Sequence, residues 1–187
     1  MSLTLPKGLG LALAYLLAGL VSAANADVIY QYTGNPFTTA PSPYTMGDFV
    51  SGTIQLSAIL PPNSGNVQLG INTPITLDGY SFSDGVGTLT LANSIVALAQ
   101  VSTNESGAIT VWSFEFSGTG HGIVTQNVPP GPGSIQDLGD ATVGDTTVRA
   151  SVVSNPGTWT LVPEPSTLTL SAIGLSVLGA TMRRRRA

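Results

Sequence analysis

Ile109-Thr110-Val111-Trp112-Ser113-Phe114-Glu115-Phe116 decides the fold class. Thr110, Trp112, Phe114 and Phe116 alternate with Ile109, Val111, Ser113 and Glu115, so rings recur at every second residue. A period of two puts them on one face of an extended strand. Working outward, Val50, Gly52, Ile54 and Leu56 alternate with Phe49, Ser51, Thr53 and Gln55, and Val148, Ala150 and Val152 alternate with Thr147, Arg149 and Ser151. Further strands are predicted over 28–32, 75–82, 87–91, 95–101, 122–126 and 158–162. Residues 91–100 could form a short helix, but the β-branched Ile95, Val96 and Val101 favour a strand. Asp84-Gly85 between Phe82 and Leu89 signals a hairpin. Asn104-Glu105-Ser106-Gly107 separates two more strands, and Pro61-Pro62-Asn63-Ser64-Gly65 and Pro129-Pro130-Gly131-Pro132-Gly133 read as loops. About nine short strands at this spacing predict an all-β domain, an antiparallel sandwich or jelly-roll.

The chain has no cysteine, which excludes disulfides, thiolate metal sites and a cysteine nucleophile. Between residues 27 and 162 the acids are Asp27, Asp48, Asp78, Asp84, Glu105, Glu115, Asp137, Asp140 and Asp145. Arg149 is the single basic residue there, so nine acids less one base leave a formal charge of −8. A surface of this sign repels nucleic acid and anionic lipid.

Both ends depart from this pattern. Residues 1–26 read as a secretory signal peptide: Lys7 is the positive region, 9–21 the apolar region, and Ala24-Asn25-Ala26 a small-residue cleavage site that starts the mature chain at Asp27. A helix is expected for the apolar region. At the other end Val162-Pro163-Glu164-Pro165 is followed by a stretch without charge up to Met182, and then by Arg183, Arg184, Arg185 and Arg186. The prolines cannot continue a sheet or sit inside a helix, so they end the domain. The apolar stretch is at the short limit for a membrane-crossing helix, and the arginines act as a cytoplasmic stop-transfer signal. Three divisions follow: 1–26 signal peptide, 27–162 ectodomain, 163–187 tail.

The tail resembles the PEP-CTERM sorting signal of Gram-negative bacteria, in which a Pro-Glu-Pro motif (Pro163, Glu164 and Pro165), a short hydrophobic helix and a terminal arginine cluster follow in this order. The resemblance implies export by the general secretion machinery, a transient inner-membrane intermediate and recognition by exosortase, an integral membrane processing enzyme. It also implies a host that makes an exopolysaccharide. Pro163, Glu164 and Pro165 are then substrate for another enzyme. Tyr30, Tyr32-Thr33-Gly34-Asn35-Pro36-Phe37, Asp48, Ser51-Gly52-Thr53 and Phe82-Ser83-Asp84-Gly85 resemble a recurrent ectodomain type of such proteins, which brings no activity with it.

Candidate chemistry in the ectodomain is sparse. His121, the only histidine, lies in Gly118-Thr119-Gly120-His121-Gly122 and reads as a surface-loop residue; a catalytic triad would need a nucleophile and a carboxylate beside it. Paired carboxylates could hydrolyse a glycosidic bond, but Glu115 is expected on the face opposite the aromatics, and Asp137, Asp140 and Asp145 near a loop. Those three, or Asp78 and Asp84, are candidate calcium ligands, although neither set fits a regular Asp-x-Asp-x-Asp-Gly loop. Tyr30, Tyr32, Phe37, Tyr44 and Phe49, with Trp112 and Trp159, could build a sugar-stacking platform or pack the core. Asn104-Glu105-Ser106 matches a glycosylation acceptor. The reading is a noncatalytic surface protein of the cell envelope or the exopolysaccharide (biofilm) matrix, without a required cofactor. A lectin-like module and a secreted glycan hydrolase are the alternatives.

Overall fold

The computed structural model describes residues 28–70, 73–129 and 135–162. Eleven strands form there: β1 (Val28–Thr33), β2 (Ser51–Leu56), β3 (Val67–Gln68), β4 (Leu77–Ser83), β5 (Thr88–Thr90), β6 (Ser94–Thr103), β7 (Ile109–Gly118), β8 (His121–Asn127), β9 (Ile135–Val143), β10 (Thr146–Val153) and β11 (Thr158–Val162). All pairings are antiparallel, in a five-stranded sheet of order β11-β1-β2-β4-β5 and a six-stranded sheet of order β10-β9-β8-β7-β6-β3. The domain is all-β, as the period-two stretches require. Among the described residues no helix is long and apolar enough to cross a membrane. The helices expected at the two ends lie outside the described residues.

Each of the nine expected segments forms a strand. The residues around Asp84-Gly85 form the β4–β5 hairpin, with Ser83 opposite Thr88 and Gly85 at φ 91°. Asn104 closes the β6–β7 turn by accepting the Ser106 and Ala108 amides on Oδ1. Two strands were not expected, the two-residue β3 and the nine-residue β9. β9 corrects a site reading as well, because Asp137 and Asp140 stand in mid-strand rather than near a loop. Asp145 does lie in the turn before β10.

The rings fill the space between the two sheets. Tyr32, Tyr80, Phe82 and Trp159 come from the five-stranded sheet, and Trp112, Phe114 and Phe116 from the six-stranded one. Ring centroids stand 4.5 Å apart for Phe82 and Phe116, 4.6 Å for Tyr80 and Phe116, 5.2 Å for Phe114 and Trp159 and 5.8 Å for Tyr32 and Trp112. These are the separations of favourable tilted and offset ring pairs. Rings of both sheets therefore meet in one aromatic core.

Candidate functional site

The chain enters the first sheet on β1 and leaves it on β11, and these strands are neighbours. Ile29 pairs with Val162, Tyr30 with Leu161 and Tyr32 with Trp159. The start of β1 and the end of β11 thus share one corner. Among the described residues β11 is an edge strand whose only partner is β1, and it is held unevenly. At its start the Gly157 amide donates to Tyr32 Oη at 2.8 Å, and the Gly157 backbone packs so closely on Thr33 O that a Cβ would not fit. Trp159, 9 % exposed, lies 5.0 Å from the Tyr32 ring. Towards its end Leu161 is 46 % exposed.

Two carboxylates are fully buried, and one of them, Asp137, bonds across the sheets. Asp137 projects from β9 towards β1, where Tyr32 Oη donates to Oδ1 at 2.7 Å and approaches Oδ2 at 2.9 Å. Burial pushes its pKa up to about 6, against the hydrogen bonds from Tyr32 and Thr125 that favour the carboxylate. Trp112 Nε1 donates to Thr125 Oγ1 at 2.9 Å, which adds β7 and β8 to the network. Burial, with the neighbouring Asp137 charge, pushes the Tyr32 phenol up, so it stays a donor. Gly34 is required here, since a Cβ would stand 2.5 Å from Val50 O and 2.6 Å from Asp137 Oδ2.

Asp84 plugs the opposite turn. Tyr44 Oη donates to Oδ2 at 2.7 Å, and the Val86 and Gly87 amides donate to Oδ1 at 3.1 and 3.0 Å. His121 Nε2 lies 3.2 Å from Oδ2, without hydrogen-bond alignment. Gly139 presses on the same oxygen, where any side chain would collide. Burial and the Asp84 hydrogen bond push the Tyr44 phenol up.

His121 is therefore no surface-loop residue: it opens β8, its side chain is 13 % exposed, and it packs on a buried carboxylate. The glycines before it do turn, with Gly120 at φ 68°, but the turn ends one residue early. The oxygens of Asp84 are taken up by the Tyr44 hydroxyl and the turn amides, so the cluster braces the fold.

The remaining candidates diverge. Asp140 points to the other face of β9 from Asp137 and takes both Arg149 Nε and Nη2 at 2.7 Å. Asp145 is exposed in its turn. The three candidate calcium ligands are not brought together, and among the described residues no three of His, Cys, Asp and Glu stand close enough to hold a metal ion. Asp78 accepts from the Thr76 hydroxyl at 2.6 Å, and Glu115 is exposed on the outer face of β7. Tyr30, Tyr32, Phe37, Tyr44, Trp112 and Trp159 are all buried. Among the described residues only Phe49 leaves an aromatic ring substantially exposed, at 38 %. The sugar-platform option for these rings gives way to core packing. Many positions of the ectodomain resemblance gain structural roles: Tyr32, Gly34 and Asp84 build the two networks, Asn35 holds Pro156 O at 2.9 Å, and Gly52 admits the Phe82 ring.

Ala24, Ala26, Asp27, Pro163, Glu164, Pro165 and the four arginines lie outside the described residues. No curated protein and no solved structure matches the chain. Residues 161–186 match the family model described as the PEP-CTERM protein-sorting motif, and the match begins inside β11, at Leu161. The chain is thus a protein that carries a PEP-CTERM sorting motif joined without a spacer to the last strand of an all-β domain.

Proposed function

We propose that this protein is noncatalytic cargo: a β-sandwich ectodomain exported across the inner membrane, processed by exosortase through its tail, and delivered to the cell surface or the surrounding exopolysaccharide matrix. The observation that carries this reading is the match over residues 161–186, which takes in Pro163, Glu164, Pro165 and the arginines from Arg183 on. The motif implies exosortase as processing partner and export through the membrane. Residues 1–26 supply the entry into that route as a signal peptide cut before Asp27.

The noncatalytic part rests on the buried polar groups. Asp137 and Asp84, the fully buried acids among the described residues, are spent on hydrogen bonds within the fold: Asp137 to Tyr32 of the other sheet, Asp84 to Tyr44 and the amides of its own turn. A lectin-like function would need a surface other than the tyrosines, which pack the core. A glycan hydrolase would need a pair of accessible facing carboxylates. The strongly acidic exterior, neutralised in part by Arg149 on Asp140, favours a dispersed domain through self-repulsion.

The test fuses residues 161–187 to an unrelated exported reporter. Loss of the arginine tail only in cells that hold exosortase supports the reading. A reporter that keeps its tail in both hosts overturns it.

A further inference from the structure

Leu161 and Val162 belong to two things at once. They are the last rungs of β11, paired with Tyr30 and Ile29, and they are the first residues of the matched sorting motif. No residue separates the sheet from Pro163. A processing enzyme that grips an extended peptide takes up its main-chain hydrogen bonds and seats its alternate side chains in pockets. A paired strand offers one edge only.

We infer that exosortase processing requires the end of β11 to peel from β1, so that the fold of the ectodomain gates its own maturation. This rests on the exosortase reading above and adds the part of the folded domain that the enzyme must engage. The proposed enzyme-facing surface is the β1–β11 corner, and the partner is a cleft that takes an extended strand.

The packing makes peeling local. The start of β11 is fixed by the Gly157 bond to Tyr32 and by the buried Trp159 ring. Its end has no such anchor. Leu161 sits half exposed at the rim of a hollow of about 310 Å³ lined also by Tyr30, Ile59, Leu60, Pro61 and Trp159. A side chain over a hollow has few partner atoms to lose. Pro163 has no N–H with which to extend the ladder. Terminal rungs of an edge strand open at the lowest free energies in a fold. Two residues can thus lift while Trp159 keeps the rest of β11 in place.

The test uses cross-strand disulfides in the full chain, where the absence of native cysteines leaves one possible bond. The double variant Ile29→Cys with Val162→Cys locks the last rung. Gln31→Cys with Thr160→Cys locks a rung two residues earlier, of the same hydrogen-bonding type, and leaves the end free. In oxidised exosortase-bearing cells, the end-locked chain should lose its tail at least tenfold more slowly than wild type, and the mid-locked chain at the wild-type rate. Inserting Gly-Ser-Gly-Ser-Leu-Val between Val162 and Pro163 of the end-locked chain should restore processing, which separates gating from misfolding. Wild-type processing of the end-locked chain, or no rescue by the insertion, overturns the inference. A wild-type chain that exosortase never processes would instead sink the underlying reading.

Discussion

The Tyr32 hydroxyl lies 2.7 Å from Asp137 Oδ1, joining residues 105 apart in sequence and on opposite sheets. The same oxygen accepts the Gly157 amide and so fixes the approach to β11. One phenol therefore ties the six-stranded sheet, the first strand and the strand that carries the sorting motif. Tyr32→Phe removes both bonds while keeping the ring in the core. Leaving a buried carboxylate and an amide short of a partner costs about 2–3 kcal/mol. Denaturant titration of the isolated 27–162 domain should show that loss. In a double-mutant cycle with Asp137→Asn, coupling below about 0.5 kcal/mol would contradict the account.

Stability should also depend on pH in a direction unusual for an acid. The folded pKa of Asp137 is raised from 3.8 to about 6. The folded state then binds this proton more tightly than the unfolded chain does. Its contribution is full below about pH 4, falls as pH rises to about 6, and is flat above. The fall is on the order of 3 kcal/mol at ~1.4 kcal/mol per pKa unit. Comparing wild type with Asp137→Asn between pH 4 and 7 isolates it. The difference in stability between the two should favour wild type more at pH 4 than at pH 7, and a pH-independent difference would refute the assignment.

Gly139→Ala should damage the other network. A Cβ there collides with Asp84 Oδ2 and stands 3.0 Å from Asp84 Cβ. The fully buried Asp84 can retreat only by giving up Tyr44 or the turn amides, so a loss of about 2–3 kcal/mol is expected. Gly65→Ala, with nothing within 4 Å, is the control and should change stability by less than about 0.5 kcal/mol.

Calcium should not stabilise the domain. Asp137 is enclosed, Asp140 is held by Arg149 on the other face of β9, and Asp145 is in solvent. Thermal unfolding with calcium or with a chelator should give the same Tm. A rise that grows with calcium concentration would point to ligands other than this set.

The strands were legible where apolar residues alternate with polar ones, as in β7, because burial on one face selects that pattern. β9 was not, because its core-facing positions are Asp137, Gly139 and Ala141, and only one of these is apolar. Their identities answer to distant residues: Asp137 to Tyr32, and Gly139 to the carboxylate of Asp84. Such constraints have no local signature. The same holds for His121, whose glycine neighbours suggest a loop while its partner Asp84 comes from the other sheet. A single acid at a core-parity position, opposite a strand with Tyr30 and Tyr32 on one face, is the signal that could have revealed the Asp137 network. The tail was legible in full order, since its parts lie next to each other in the chain and need no fold to assemble.

The most direct test of exosortase-processed export is the intact mass and cell fraction of this protein in a host with exosortase and in the same host without it. The expected product begins at Asp27, ends near Pro163 and lies outside the inner membrane only where the enzyme is present. A product that keeps Arg183 to Arg186 in both hosts would contradict it.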